Sequence, residues 1–148
     1  MPVVATDLEA NPPYYVMPLY AQGLRQIIPQ LTKEHPRIRG IFRLILSAVQ
    51  YAHERGIIHR DLNPNNIMMN CDNEIVVSDF GLGRRLDAST SRVTQPHGAM
   101  GTSGYMAPEQ YHEAEHADVR SDIFALGVIL NEMYSGTTWV GFCRRLFW

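Results

Sequence analysis

Apolar and polar positions divide this chain into short blocks. Ile38, Ile41, Phe42, Ile45, Val49 and Ala52 recur every three or four residues. That spacing gathers them on one face of a helix over residues 37–55 and reads as core. Pro36 precedes the helix and Gly56 follows it, the usual asymmetry of helix ends. A second helix is predicted over residues 122–135. Its apolar residues, from Ile123 and Phe124 to Ile129 and Met133, lie nearly all round and require burial on most sides. Ser121 or Asp122 is placed to cap its start and Gly136 its end. Leu24 to Leu31 predicts a short helix made ragged by Pro29. Val3-Val4 and Tyr14 to Met17 flank the turn-forming Glu9-Ala10-Asn11-Pro12-Pro13 and predict strands. Ile67 to Met69 and Ile75 to Val77, parted by Cys71-Asp72-Asn73, predict a hairpin. Residues 82–106 are polar and rich in Gly, Ser and Thr, and a loop of that length is usually functional or mobile.

Composition narrows the class. The 148 residues allow one domain, and 45% hydrophobic with 19% charged content excludes wholesale disorder. A formal charge of −2 gives no basic footprint for nucleic acid. The longest apolar run, Ile123 to Leu130, is far short of the roughly 18 residues a membrane span needs. With Asp7 and Glu9 near the start no secretory signal is expected, and the isolated Cys71 and Cys143 fit free thiols. A cytoplasmic location is expected.

The candidate chemistry lies between the predicted helices. His59-Arg60-Asp61-Leu62-Asn63-Pro64-Asn65-Asn66 has the form H-R-D-L-x-x-x-N, and Asp79-Phe80-Gly81 and Ala107-Pro108-Glu109 follow in order. The three motifs together resemble the catalytic loop, metal-binding loop and activation segment of protein kinases. Phosphoryl transfer needs positioning and charge neutralisation more than covalent help. The resemblance implies that Asp61 accepts the proton of the substrate hydroxyl, while Asn66 and Asp79 hold Mg²⁺ through hard oxygens. The hairpin between Asn66 and Asp79 would set the two loops side by side.

The resemblance extends outward. Gly101-Thr102-Ser103-Gly104-Tyr105-Met106 before Ala107 is similar to a serine/threonine kinase of bacterial type, with Thr102 helping to position the catalytic loop. Arg120-Ser121-Asp122-Ile123-Phe124-Ala125-Leu126-Gly127 resembles the start of the family's central buried helix. Pro13 to Tyr20 resembles the last small-lobe strand and hinge, which implies that Met17, Pro18 and Tyr20 meet the adenine of ATP and Met68 lies beneath it. His59 is expected to pack beneath the Asp79-Phe80-Gly81 segment, and His35 and His53 to lie at the surface.

The implied fold is α+β and kinase-like. Residues 1–20 would hold small-lobe strands and hinge, residues 21–136 a partial, mainly helical large lobe, and residues 137–148 match no part of it. The implied cofactors are ATP and Mg²⁺, and the implied partner is a protein bearing a Ser or Thr acceptor. The family's Gly-rich loop and strand lysine are not found: Lys33 is the only lysine, and it follows the hinge. Asn63 stands where serine/threonine kinases usually carry lysine. The chain is thus expected to be truncated, weak or inactive alone, and its central helix short of cover. Two rivals stand beside this reading: a non-catalytic binding module, and a zinc peptidase through His112-Glu113-Ala114-Glu115-His116. Regulation is expected at Arg60, read as a buried cation needing an anion. A phosphate on Ser89, Thr90, Ser91 or Thr94, helped by Arg84 or Arg85, would supply it.

Overall fold

The computed structural model describes residues 3–31, 35–70, 74–80, 103–112 and 118–137. In chain order these form β1 (Ala5–Asp7), β2 (Tyr14–Val16), β3 (Gln22–Gly23), α1 (Leu24–Leu31), α2 (His35–His53), β4 (Ile67–Met69), β5 (Ile75–Val77), α3 (Pro108–His112) and α4 (Val119–Ser135). Two 3₁₀ turns, Pro64–Asn66 and Ser103–Tyr105, complete the set. The mixed helix and sheet agree with the expected α+β class.

Strands β1 and β2 pair antiparallel with Thr6 opposite Tyr15. The first strand starts at Ala5, not at Val3-Val4, although the Val4 N–H still reaches the Val16 carbonyl at 2.8 Å. The predicted hairpin forms, with Ile67 opposite Val77 and Met69 opposite Ile75. A third strand, β3, joins it through Gln22–Met69 and Gly23–Met68 pairing.

The core follows the helical spacing. Leu24, Ile27, Ile28 and Leu31 of α1 meet Ile38, Ile41, Ile45 and Val49 of α2, with Ile67 and Val77 beneath and Leu126, Ile129 and Met133 of α4 beside them. Each such side chain, fully buried, stabilises the fold by about 1.5–3 kcal/mol. Pro29 interrupts the hydrogen bonding of α1 on its exposed side without ending the helix.

One expectation about α4 needs correction. Its N-cap is Asp118, whose carboxylate accepts the Arg120 N–H at 2.7 Å; Ser121 and Asp122 lie inside the helix and are buried. The expected shortage of cover is seen on one face: Ile123 is 57% exposed while Ile129 and Met133 are 0%. A turn of 100° per residue sends Ile123, Phe124 and Gly127 away from the face that meets α1 and α2. The predicted C-cap holds: Gly136 is left-handed, φ 72°, and its N–H reaches the Glu132 carbonyl. Of the predicted loop 82–106 the described residues are 103–106, where Ser103–Tyr105 forms the second 3₁₀ turn and Tyr105 is buried.

Candidate active site

The loop of residues 59–66 runs from the end of α2 into β4. His59 is 1% exposed, and its Nε2 donates to the Ser78 carbonyl at 2.7 Å. A carbonyl only accepts, so the proton sits on Nε2 and Nδ1 receives the Asp61 N–H, at 3.4 Å. The imidazole also packs on the Phe80 ring at 4.7 Å between centroids. His59 thus joins the two motif loops, as expected.

Arg60 and Asp79 have left-handed backbones, φ 70° and 61°. For residues with a side chain this costs about 1–3 kcal/mol each and persists only where the surroundings enforce it. At Arg60 they do. Its N–H donates to Asp122 Oδ1 at 2.8 Å, and its carbonyl accepts from Gln110 Nε2 at 2.8 Å. Asp122 Oδ2 accepts the His59 N–H at 2.9 Å and His53 Nε2 at 2.7 Å. This carboxylate, 1% exposed, is paired by three donors in the first turn of α4, where the helix dipole also favours negative charge. His53 is therefore an internal partner, not the surface histidine expected.

Asp61 is held from its own backbone. Asn63 and Asn66 both donate Nδ2 to the Asp61 carbonyl at 2.9 Å. Asn63 Nδ2 also lies 3.4 Å from Asp61 Oδ1, while its Oδ1 accepts the Asn65 N–H and caps the 3₁₀ turn. Although Asp61 keeps a solvent-facing edge, burial pushes its carboxyl above the usual carboxylate range. Hydrogen bonds from the two asparagines partly offset that, and the Asp79 charge adds to it.

The hairpin delivers the second carboxylate. The Ser78 N–H donates to the Asn66 carbonyl at 2.8 Å. Ser78 Oγ stands 3.2 Å from the same carbonyl and 3.3 Å from Asp79 Oδ2, its single proton serving either. Asn66 spends Nδ2 on Asp61, which leaves Oδ1 as its free ligand atom. Asn66 and Asp79 therefore offer hard oxygens, fitting a Mg²⁺ shared with phosphate oxygens. Among the described residues no three His, Cys, Asp or Glu groups gather into a metal site.

Asp61, Asn66 and Asp79 are thus drawn into one network. Met17 and Tyr20, half-buried, and Pro18, exposed, lie between β2 and β3. Met68, half-buried in β4, pairs with Gly23 of β3. Among the described residues no hydrogen bond joins Met17, Pro18 or Tyr20 to the Asp61 network. Thr102, Ser89, Thr90, Ser91, Thr94, Arg84 and Arg85 lie outside the described residues, as do Lys33 and Glu113 to His116 of the zinc-like motif. The reading of Arg60 as a buried cation is corrected: Arg60 is exposed, because Asp122 and Gln110 bind its backbone and leave the side chain outside.

Several contributors escaped the motif reading. Arg25 Nη2 donates to the Tyr105 hydroxyl at 2.6 Å, and Tyr105 donates to the buried Glu132, which Arg25 Nη1 reaches at 2.5 Å. Ser121 Oγ donates to Glu109 Oε1 at 2.9 Å. The available signal was polarity within an apolar run: Asp122 and Glu132 in α4 must be paired if buried.

Comparison with known proteins agrees with this geometry. The chain is 40% identical over 126 residues to a probable serine/threonine-protein kinase of Corynebacterium efficiens, covering 84% of this chain and 19% of that protein. It is 41% identical over 129 residues to the serine/threonine-protein kinase PknB of Mycolicibacterium smegmatis, covering 84% and 20%. Against PknB of Mycobacterium tuberculosis the figures are 36% over 133 residues, 88% and 21%. The chain spans about a fifth of the length of these relatives. Residues 8–142 match the protein kinase domain, and with the ordered loops around Asp61 and Asp79 this makes the chain a member of the protein kinase family, of the bacterial serine/threonine type.

Proposed function

We propose that this chain supplies the catalytic and metal-binding loops of an ATP-dependent serine/threonine protein kinase, acting on a Ser or Thr hydroxyl of a protein substrate. Residues 1–20 then serve as the small-lobe edge and hinge, with Met17, Pro18, Tyr20 and Met68 around the adenine. Residues 21–136 serve as the large-lobe portion. The observation that supports the reading is Ser78, whose Oγ lies within reach of both the Asn66 backbone carbonyl and Asp79 Oδ2, so that the two residues proposed to hold the metal stand beside the loop of Asp61.

On this reading Asp61 orients the substrate hydroxyl and takes its proton. Its raised basicity suits that role, because a general base works best with a pKa nearer the working pH. Asn66 Oδ1 and Asp79 hold Mg²⁺, which when bound neutralises charge on the phosphate oxygens. Asn63 spends both ends of its amide on Asp61 and Asn65, so it steadies the base in place of supplying a cation. Among the described residues no helix is long and apolar enough to cross a membrane.

The test is transfer of γ-phosphate from Mg-ATP to a protein substrate by the full-length protein. Asp61→Asn should lower kcat by about 100-fold or more. Asp79→Ala should abolish Mg²⁺-dependent nucleotide binding. Transfer at the unaltered rate in both variants defeats the proposal.

A further inference from the structure

Gln110 belongs to none of the three motifs, yet its side chain joins two of them. It sits in α3 one position past Glu109. Its Oε1 accepts the Ala107 N–H at 3.0 Å, and its Nε2 donates to the Arg60 carbonyl at 2.8 Å. One partner only donates and the other only accepts, so the amide has a single satisfied orientation. The Arg60 carbonyl belongs to the peptide that leads directly into Asp61. Arg60 is also the strained residue of the loop, φ 70°, and its N–H is taken by Asp122 of α4 at 2.8 Å. Both backbone polar groups of that residue therefore end on side chains from other elements. The circuit closes on itself, because Ser121 beside Asp122 donates to Glu109 beside Gln110 at 2.9 Å. Arg60, Asp61, Tyr105, Met106, Gln110 and Asp122 also wall one narrow cleft, so the clamp stands next to the carboxylate it would steer.

We infer that Gln110 is a positioning residue for phosphoryl transfer: it fixes the plane of the Arg60–Asp61 peptide and so the direction of the Asp61 carboxyl. The inference rests on the kinase reading above. Loss of the clamp frees the Arg60 carbonyl to rotate and relax the left-handed backbone, and the base then spends less time aimed at the hydroxyl. Substrate and nucleotide contacts elsewhere stay as they were.

The experiment uses the full-length protein and two variants. Gln110→Glu keeps the acceptor for Ala107 but sets a carboxylate oxygen against the Arg60 carbonyl. Gln110→Ala removes both contacts, and the half-buried site lets either variant fold. Measured are kcat, KM for ATP, the melting temperature, and hydrogen exchange of the Arg60 and Asp61 amides. In both variants kcat should fall about tenfold, the size of one lost hydrogen bond. KM for ATP should stay within about twofold, the melting temperature should hold, and exchange at Arg60 should accelerate about tenfold. Unaltered kcat and unaltered exchange in both variants overturn the inference. A kcat loss matched by an equal loss of folded protein, with exchange unchanged in what remains folded, overturns it too. If the unaltered protein transfers no phosphate while exchange still accelerates in the variants, the kinase reading fails and the clamp stands.

Discussion

The Asp61 carboxyl carries a conflict that pH can expose. Burial raises its pKa in the folded chain above its unfolded value, so the folded state binds the proton more tightly. Between those two values stability falls as pH rises, and the penalty is fully present once folded Asp61 is ionised. It is relieved as pH falls through the folded value toward the ordinary one of about 3.9. Asp61→Asn should therefore raise the urea midpoint at pH 7, and the gain should vanish below about pH 4. Urea titrations at both pH values check this, and a lower midpoint at pH 7 would contradict it. That Asp61, Asn66 and Asp79 come together was legible in the sequence because their spacing is a motif. Asp122 and Gln110 were not, because their partners are Arg60 and His59, some 50 to 63 residues earlier in the chain. Arg60 was misread for a related reason: what is held inside is its backbone, and a sequence shows only the side chain.

Helix ends show how local rules compete. At the start of α4, Asp118, Ser121 and Asp122 are all capable caps, and local propensity cannot rank them. Tertiary demand decides: Asp122 is needed inside for the 59–60 backbone, which leaves Asp118 to cap. The other end had one candidate, and it was read correctly. Gly136 adopts φ 72°, where an L side chain crowds the carbonyl. Gly136→Ala should destabilise the protein by about 1–2 kcal/mol with little change in the m-value. Chemical denaturation checks it, and a change below a few tenths would show that the helix can end another way. Strand β3 was invisible because Gln22 and Gly23 carry no alternation; their pairing is imposed by Met68 and Met69.

At the scale of the whole molecule, the Arg25, Tyr105 and Glu132 network ties α1 and the 103–105 turn to α4 across 107 and 27 residues of sequence. Burial and the Glu132 carboxylate push the Tyr105 hydroxyl above the usual tyrosine range, so it remains a donor in alkaline solution. Tyr105→Phe strips that donor from a buried carboxylate and should cost about 1–3 kcal/mol, read as a lowered melting temperature. An unchanged melting temperature would mean that Arg25 alone satisfies Glu132. Glu132 within an apolar run signals that it needs a partner but not which one, since the members of the network belong to three separate elements. The left-handed backbone at Arg60 and Asp79 has a consequence on another timescale. Glycine fits that conformation without a clash, so stability alone favours losing both side chains. A lineage released from catalysis should drift to glycine at 60 and 79 while Leu62, Ile67 and Val77 stay apolar to preserve the core. The side chains kept at these two positions thus form an evolutionary gauge, separating descendants that still work from those that merely fold.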